Sequence, residues 1–233
     1  MESMGFGFAI VAFLVLAILG AIFASKREQA RSDALRGLAD SRGWAFDPTV
    51  RRGQPGDLAL FDAFDCGRDR QASNTIRGPI EMDGLECVVQ LGDFRYEKQD
   101  GTGDDSTTTT YRLSYAIVTL PFSSPSMLIR REGMFDKFKA MLGFEDIDFE
   151  SAEFSRKFYV SSEDKRFAYD LCDPRMIEYL LGAGLPKIEI AQGRICHVGE
   201  NRWEPEQFAS ELARLQGFVR HIPRHVRASQ AAS

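Results

Sequence analysis

Residues 4–24 carry no charged side chain, and the stretch GFGFAIVAFLVLAILGAIFA within them is apolar or small throughout. About 20 such residues in a helix cover roughly the 30 Å hydrocarbon core of a bilayer, so the run predicts a membrane-spanning anchor. A cleaved secretory signal would instead need a basic leading segment and a small-x-small cleavage site. Here the charge ahead of the run is Glu2, and a cut after Ala24 would leave bulky Ile22 at the minus-three position. The expectation is therefore an uncleaved, single-pass helix in contact with the lipid bilayer through residues 4–24. Lys26, Arg27, Arg31, Arg36 and Arg42 all follow the run and no Lys or Arg precedes it. The positive-inside rule then places the large C-terminal domain in the cytoplasm.

Cys66, Cys87, Cys172 and Cys196 match no CxxC, zinc or haem spacing. On the cytoplasmic side they are expected as reduced, mostly buried thiols; two disulfides are the alternative for an external domain. Past the anchor, about 200 residues suffice for one large or two small domains with a real core. Eighteen phenylalanines make that core aromatic. A net charge of −5, with no clustered basic surface to neutralise phosphates, argues against a nucleic-acid partner.

The order of elements reads as α+β: a single N-terminal transmembrane helix, then a β-meander-rich domain ending in a β-β-α-β-β-α arrangement. Residues 26–42, KREQARSDALRGLADSR, are helix formers of mixed charge and predict a juxtamembrane helix stopped at Gly43. Residues 70–82, 85–96 and 107–120 are rich in β-branched and aromatic residues, and Asp83-Gly84 is a type I′ turn signal between the first two. The polar stretch 97–110 has acids and glycines but lacks the calcium-loop ladder and its closing glutamate, so it reads as a solvated hairpin loop. A strand or turn over 127–133 and an amphipathic helix over 134–142 follow. Strands are predicted at 153–160 and 166–171 around a turn. A helix begins at Asp173-Pro174, and a hairpin over 187–198 turns at Gln192-Gly193 before a helix over 204–215. The division expected is an anchor at 1–25, a juxtamembrane helix at 26–43, an α+β domain at 44–216 with a sub-boundary near 121–150, and a basic flexible tail at 217–233.

Chemistry is sparse in this pattern. No G-x-S-x-G elbow or P-loop is present. Cys196 and His197 are adjacent, which on a strand points them to opposite faces and away from joint catalysis. His221 and His225 have metal-pair spacing, but Pro223 lies between them and no third ligand is near in sequence. Glu145, Asp146, Asp148, Glu150 and Glu153 form an acidic run able in principle to hold a divalent cation. Their alternation with Phe144, Ile147, Phe149 and Phe154 fits an edge strand or connector better. Arg130, Arg131 and Glu132, with Arg156 and Lys157, read as water-facing charges rather than an anion site. Ala17-x-x-x-Ala21 and Gly20-x-x-x-Ala24 would permit close helix approach and a homodimer. Arg214, Arg220, Arg224 and Arg227 with His221 and His225 make the tail basic, suited to anionic lipid or to a solvated terminus. No catalytic, metal or cofactor residues are assigned.

The segment FSRKFYVSSEDKRFAYDLCDPRMIEYLL resembles the core motif of a bacterial membrane-associated family, domain of unknown function 3137. In that motif F-x-x-x-F-x-V precedes an acidic turn, then A-x-x-L-x-x-P and a helix ending in leucines. Phe154, Phe158, Val160, Asp164, Ala168, Leu171, Pro174 and Leu180 occupy those places. The resemblance implies an α+β domain attached to a bacterial cell membrane and carries no catalytic residue across. This chain shows one apolar run where the family is pictured with two. The leading function is thus a membrane-tethered, non-enzymatic interaction or scaffold domain with a protein partner. The alternatives are an enzyme using the acidic cluster on a membrane-proximal substrate and a peripheral lipid-sensing module.

Overall fold

The computed structural model describes residues 2–101, 106–132 and 146–231, with side chains from residue 13 onward. Its centre is an antiparallel nine-stranded sheet. The strands are β1 (Ala45–Asp47), β2 (Arg51–Arg52), β3 (Arg68–Met82), β4 (Leu85–Asp100), β5 (Thr107–Thr119), β6 (Met127–Arg131), β7 (Phe158–Ser162), β8 (Lys187–Ala191) and β9 (Arg194–Val198). They lie in the order β1-β3-β4-β5-β9-β8-β6-β7, with β2 also paired to β3. The three strands expected at 70–82, 85–96 and 107–120 are β3, β4 and β5, paired in sequence order. Asp83 and Gly84 have φ of 52° and 77°, and Gln192 and Gly193 have 50° and 73°, the doubly left-handed geometry of type I′ hairpin turns.

Both faces of this sheet are covered. Along β4, Cys87, Val89 and Leu91 join a large core beneath the helices, while Phe94 and Tyr96 join a smaller aromatic core with Phe61, Phe64 and Tyr115. The smaller core is roofed by two 3₁₀ turns, Gly56–Leu60 and Asp62–Phe64. A bulge in β3 serves the two-sided arrangement. Ser73 pairs with Asp93 and Ile76 with Leu91, so β3 spends one residue more than β4 over that interval. Ala72 therefore faces the aromatic core and Ile76 the helical one, although even spacing would put them on the same side. Asn74, with φ of 51°, takes the turn.

The helices are α1 (Glu2–Asp40), α2 (Ala152–Lys157), α3 (Lys165–Leu171), α4 (Pro174–Ala183), α5 (Gln207–His221) and α6 (Arg224–Ala231). Among the described residues, no helix is long and apolar enough to cross a membrane. This finding corrects the expected single-pass anchor, the bilayer contact through residues 4–24 and the membrane location with its cytoplasmic C-terminal domain. Side chains 4–12 of the apolar run lie outside the described residues. The helix then continues without a break into the polar, mixed-charge residues of 26–40. Its C-terminal part packs Leu35 and Ala39 into the helical core, while Phe13, Leu16 and Phe23 are exposed.

Two expected strands are also corrected. Residues 152–157 are helical because Ser151 caps the turn, accepting from the Phe154 amide, and Lys157 pairs with Glu153 at 2.7 Å. Residues 165–171 are helical because Asp164 accepts from the amides of Arg166 and Phe167, and the spacing of Phe167, Ala168 and Leu171 buries one face. The expected β-β-α-β-β-α order is therefore α-β-α-α-β-β-α-α from residue 152 on. The tail expected to be flexible carries the end of α5 and all of α6. Arg227 pairs with Asp83 at 2.8 Å and donates to the carbonyls of Val219 and Ile222. The helix expected over 134–142 lies outside the described residues.

Close packing gives a test with opposite signs at two glycines. Gly78 lies under the Trp44 indole, which leaves no room for a Cβ, whereas Gly37 is exposed on α1 with open space around it. Gly78→Ala should destabilise the chain by about 1–3 kcal/mol through overpacking. Gly37→Ala should stabilise it by up to about 1 kcal/mol through helix propensity. Urea denaturation of both variants beside the native chain checks the pair.

Candidate functional site: an acidic, apolar-lined cleft

A cleft of about 960 Å³ opens between the segment before α2, helices α3 and α4, and α6. Helix α4 is started by Asp173, whose carboxylate accepts from the Met176 amide, with Pro174 in the first turn. Its buried stripe, Met176 and Leu180, points to the core. Pro174, Ile177, Glu178 and Leu181, spaced three and four apart, share the neighbouring face and line the cleft. Across from them lie Asp148, Phe149 and Glu150, the first two held by hydrogen bonds. Phe149 donates its amide to Ser155 Oγ at 3.0 Å, and that hydroxyl donates back to the Phe149 carbonyl at 3.2 Å. Tyr169 of α3 donates its hydroxyl to the Asp148 carbonyl at 3.2 Å and meets the Phe149 ring edge-on at 5.3 Å. Carboxylates from three separate elements thus surround an apolar surface: Asp148 and Glu150 before α2, Asp170 on α3, and Asp173 and Glu178 at α4. His225 of α6 completes the lining.

The strongest polar constellation lies elsewhere, where α1 crosses the sheet. Arg31 grips Asp93 of β4 with Nε and Nη2, at 2.8 and 2.7 Å, and donates Nη1 to the Trp203 carbonyl at 2.6 Å. Asp93 also accepts from Asn74 at 3.0 Å, Ser114 at 2.7 Å and Arg202 at 3.1 Å. Arg202 in turn forks onto Glu28 with two 2.6 Å bonds. Burial alone would raise the pKa of Asp93; the Arg31 hydrogen bond and the charges of Arg202 and Arg31 outweigh it and hold the carboxylate below its ordinary range. The hollow beside this clamp, about 770 Å³, is lined by charges of both signs, and its Arg31 and Arg202 are already committed to Asp93 and Glu28. The clamp positions α1 and leaves little for a ligand to take.

With that geometry in hand, comparison with known proteins adds one likeness. The fold is similar to the crystal structure of the mycobacterial trehalose monomycolate transport factor A, TtfA, with a TM-score of 0.54 and 13% sequence identity. The match covers 82% of this chain and 96% of that one. At such identity the likeness speaks for the fold alone. No protein-family model and no curated protein sequence matches this chain.

The residues singled out by sequence are dispersed. Cys196 belongs to the aromatic core, whereas His197 faces the helices, donating Nδ1–H to the Lys187 carbonyl and lying 3.1 Å by Nε2 from Glu211. That hydrogen bond holds the Glu211 carboxyl below its usual range. His221 stacks on Tyr179 at 4.5 Å, while His225 lines the cleft on the next helix. In the acidic run, Asp146 accepts from the Val160 amide at the β7 edge, Asp148 and Glu150 reach the cleft, and Glu153 pairs with Lys157. Glu145 lies outside the described residues. Arg130 and Arg131 lie over the rings of Tyr159 and Phe158. Of the basic residues after the apolar run, Arg31 is buried, and Arg36 and Arg42 cover Phe46 and Trp44. Among the described residues, no three His, Cys, Asp or Glu side chains are placed to hold a metal ion. Sequence reading missed the Arg31–Asp93 pair. Its signal was a charged residue at an inward position in each element: Arg31 in register with Leu35 and Ala39, and Asp93 in alternation with Val89 and Leu91.

Removing Arg31 leaves a buried carboxylate without its main cation. Arg31→Met should cost about 3–5 kcal/mol at neutral pH. Because the folded-state pKa of Asp93 is depressed in the native chain, the stability it contributes is present above the unfolded carboxylate pKa and lost as pH falls through the folded one. The penalty of Arg31→Met should accordingly shrink on acidification, when Asp93 can protonate. Urea titrations at neutral and acidic pH measure both effects.

All four cysteines are buried and unbridged. Burial pushes the Cys66 thiol up to about 11 and raises those of Cys87, Cys172 and Cys196. Since the thiolate is the reactive form, a disulfide reagent at pH 8 should react slowly with the native chain and rapidly with all four thiols in guanidinium. A fast native thiol would contradict this burial.

Proposed function

We propose that this chain is a non-enzymatic accessory factor, a scaffold or interaction module, in the transport of a lipid. The observation that carries the reading is the likeness of fold, over most of both chains, to a trehalose monomycolate transport factor. The internal chemistry supports it. Arg31 with Asp93 and His197 with Glu211 are each paired inside the protein and join a helix to the sheet, and Lys187 pairs with Glu189 within β8. The cleft, in contrast, presents an aromatic and aliphatic surface ringed by carboxylates, the mixed character of a recognition surface.

On the same footing we propose kinship with the domain of unknown function 3137 family. In support, Phe154, Phe158, Val160, Ala168, Leu171 and Leu180, which carry that resemblance, all belong to the helical core. Asp164 and Pro174 start the two helices that wall the cleft.

Disrupting the gene in its own host and following radiolabelled acetate into extractable lipid by thin-layer chromatography tests the function. A transport defect should appear as accumulation of one lipid species inside the cell, reversed by the native chain. An unchanged lipid distribution, or hydrolysis of a lipid ester by the purified protein, would overturn the proposal.

A further inference from the structure

We propose that the cleft between the segment before α2 and helices α3, α4 and α6 docks a lysine- or arginine-bearing amphipathic segment of a partner protein. The idea deepens the interaction-module reading and rests on it, and the argument for the occupant is one of charge and shape. Several carboxylates elsewhere on the surface are paired with a neighbouring cation: Asp47 with Arg51, Asp65 with Arg70, Asp83 with Arg227 and Glu153 with Lys157; others, Glu81 and Glu86 among them, are exposed but border no apolar cleft. At the cleft, the exposed carboxylates of Asp148, Glu150 and Glu178 have no ion pair with any described residue. Asp170 has only a 3.7 Å contact with Arg166, and Asp173 is occupied as a helix cap. A cleft whose walls exclude water on one side focuses such a field, and a cation is what relieves it.

The same surface is too apolar for a merely ionic ligand. Phe149, Ile177 and Leu181 are half-buried in the lining, and Tyr169 is 52% exposed, one of few large side chains outside α1 left so open. An exposed aromatic beside aliphatic residues, ringed by acids, is the complement of a helix bearing apolar side chains on one face and basic ones beside them. Its volume, near 960 Å³, exceeds what a single side chain or small ion would fill. The walls are set before any partner arrives. Asp173 caps α4, Tyr179 of α4 donates to the Arg214 carbonyl of α5, and Ser155 holds Phe149 through both its backbone groups. Little ordering remains to be done on binding. An acidic peptide, a nucleic acid or an anionic lipid headgroup would meet repulsion from the exposed carboxylates.

The test uses the full chain and two fluorescein-labelled model peptides of equal length, one of leucine and lysine in helical amphipathic pattern, the other of leucine and glutamate. Fluorescence anisotropy should show saturable binding of the lysine peptide that weakens as salt is raised, and none of the glutamate peptide. Glu150→Lys with Glu178→Lys should weaken binding at least tenfold, as should Tyr169→Ala alone. Glu81→Lys with Glu86→Lys, the same charge change on the exposed ends of β3 and β4, should leave it within twofold. Thermal melts confirm that each variant is folded, and Glu178→Lys alone is the milder substitute if the double variant is not. Equal loss in the two double variants would overturn the proposal by showing non-specific attraction to an acidic protein. Binding of phosphatidylglycerol vesicles that the cleft variants abolish would overturn it in favour of a lipid surface. If the peptide fails to bind while gene disruption still disturbs lipid distribution, the docking proposal falls and the transport function stands.

Discussion

The hydrogen-bonded ion pair of Arg31 and Asp93 is the contact on which the arrangement of this molecule depends. It lies where five parts of the chain meet: α1 supplies the guanidinium, β4 the carboxylate, β3 Asn74, β5 Ser114, and the turn before α5 the carbonyl of Trp203. Two charges taken from water are costly unless their remaining hydrogen-bonding capacity is met. Here Asp93 accepts from Arg31, Asn74, Ser114 and Arg202. The pair is a device for specificity more than for gross stability. It fixes the rotation and axial position of α1 against the sheet, which greasy contacts through Leu35 and Ala39 alone would leave loosely determined. The same interaction positions Trp203, which packs on both His197 and Phe208, so the seat of α5 is tied to the seat of α1.

An antiparallel sheet covered on both faces needs strands that are apolar in two directions; β4 meets that need by changing allegiance along its length, and β5 by alternating between the two cores from Tyr115 to Val118. The aromatic core shows what covers the second face when no helix is available. Two 3₁₀ turns place Leu58, Phe61 and Phe64 over Phe94 and Tyr115, with ring edges meeting ring faces at 4.9 and 5.3 Å. Glu189 reaches from the sheet to accept the Ala63 amide at 3.0 Å, satisfying a donor that a tight turn would otherwise bury unpaired. The helical face can then be devoted to walling the cleft.

What could be read from the sequence divides along physical lines. Hairpins at Asp83-Gly84 and Gln192-Gly193 were legible because a two-residue turn is a local event with a local signature. The short helices α2 and α3 were misread as strands, since Phe154, Phe158 and Val160, or Phe167, Tyr169 and Leu171, satisfy alternation as well as they satisfy helical spacing. The capping side chains Ser151 and Asp164 decided the matter. The apolar run near the N-terminus drew a reading from length alone, and the helix that contains it does not end where the run does. For the cleft, the acidic residues of 145–153 were visible, but their partners Tyr169, Asp170 and Glu178 come from helices that had first to be placed. Such a site emerges only from the fold.

The extra residue in β3 gives the strand something like a reading frame. At Ala72 an even position faces the aromatic core; from Ile76 onward even positions face the helical one. Every side chain from Ile76 to Met82 therefore owes its side of the sheet to a single inserted residue, including the glycine that makes room for Trp44. Evolution can exchange side chains along β3 one at a time, but it cannot shorten or lengthen the strand at that point by one residue without turning half of it inside out. Length there is inherited as strictly as any side chain.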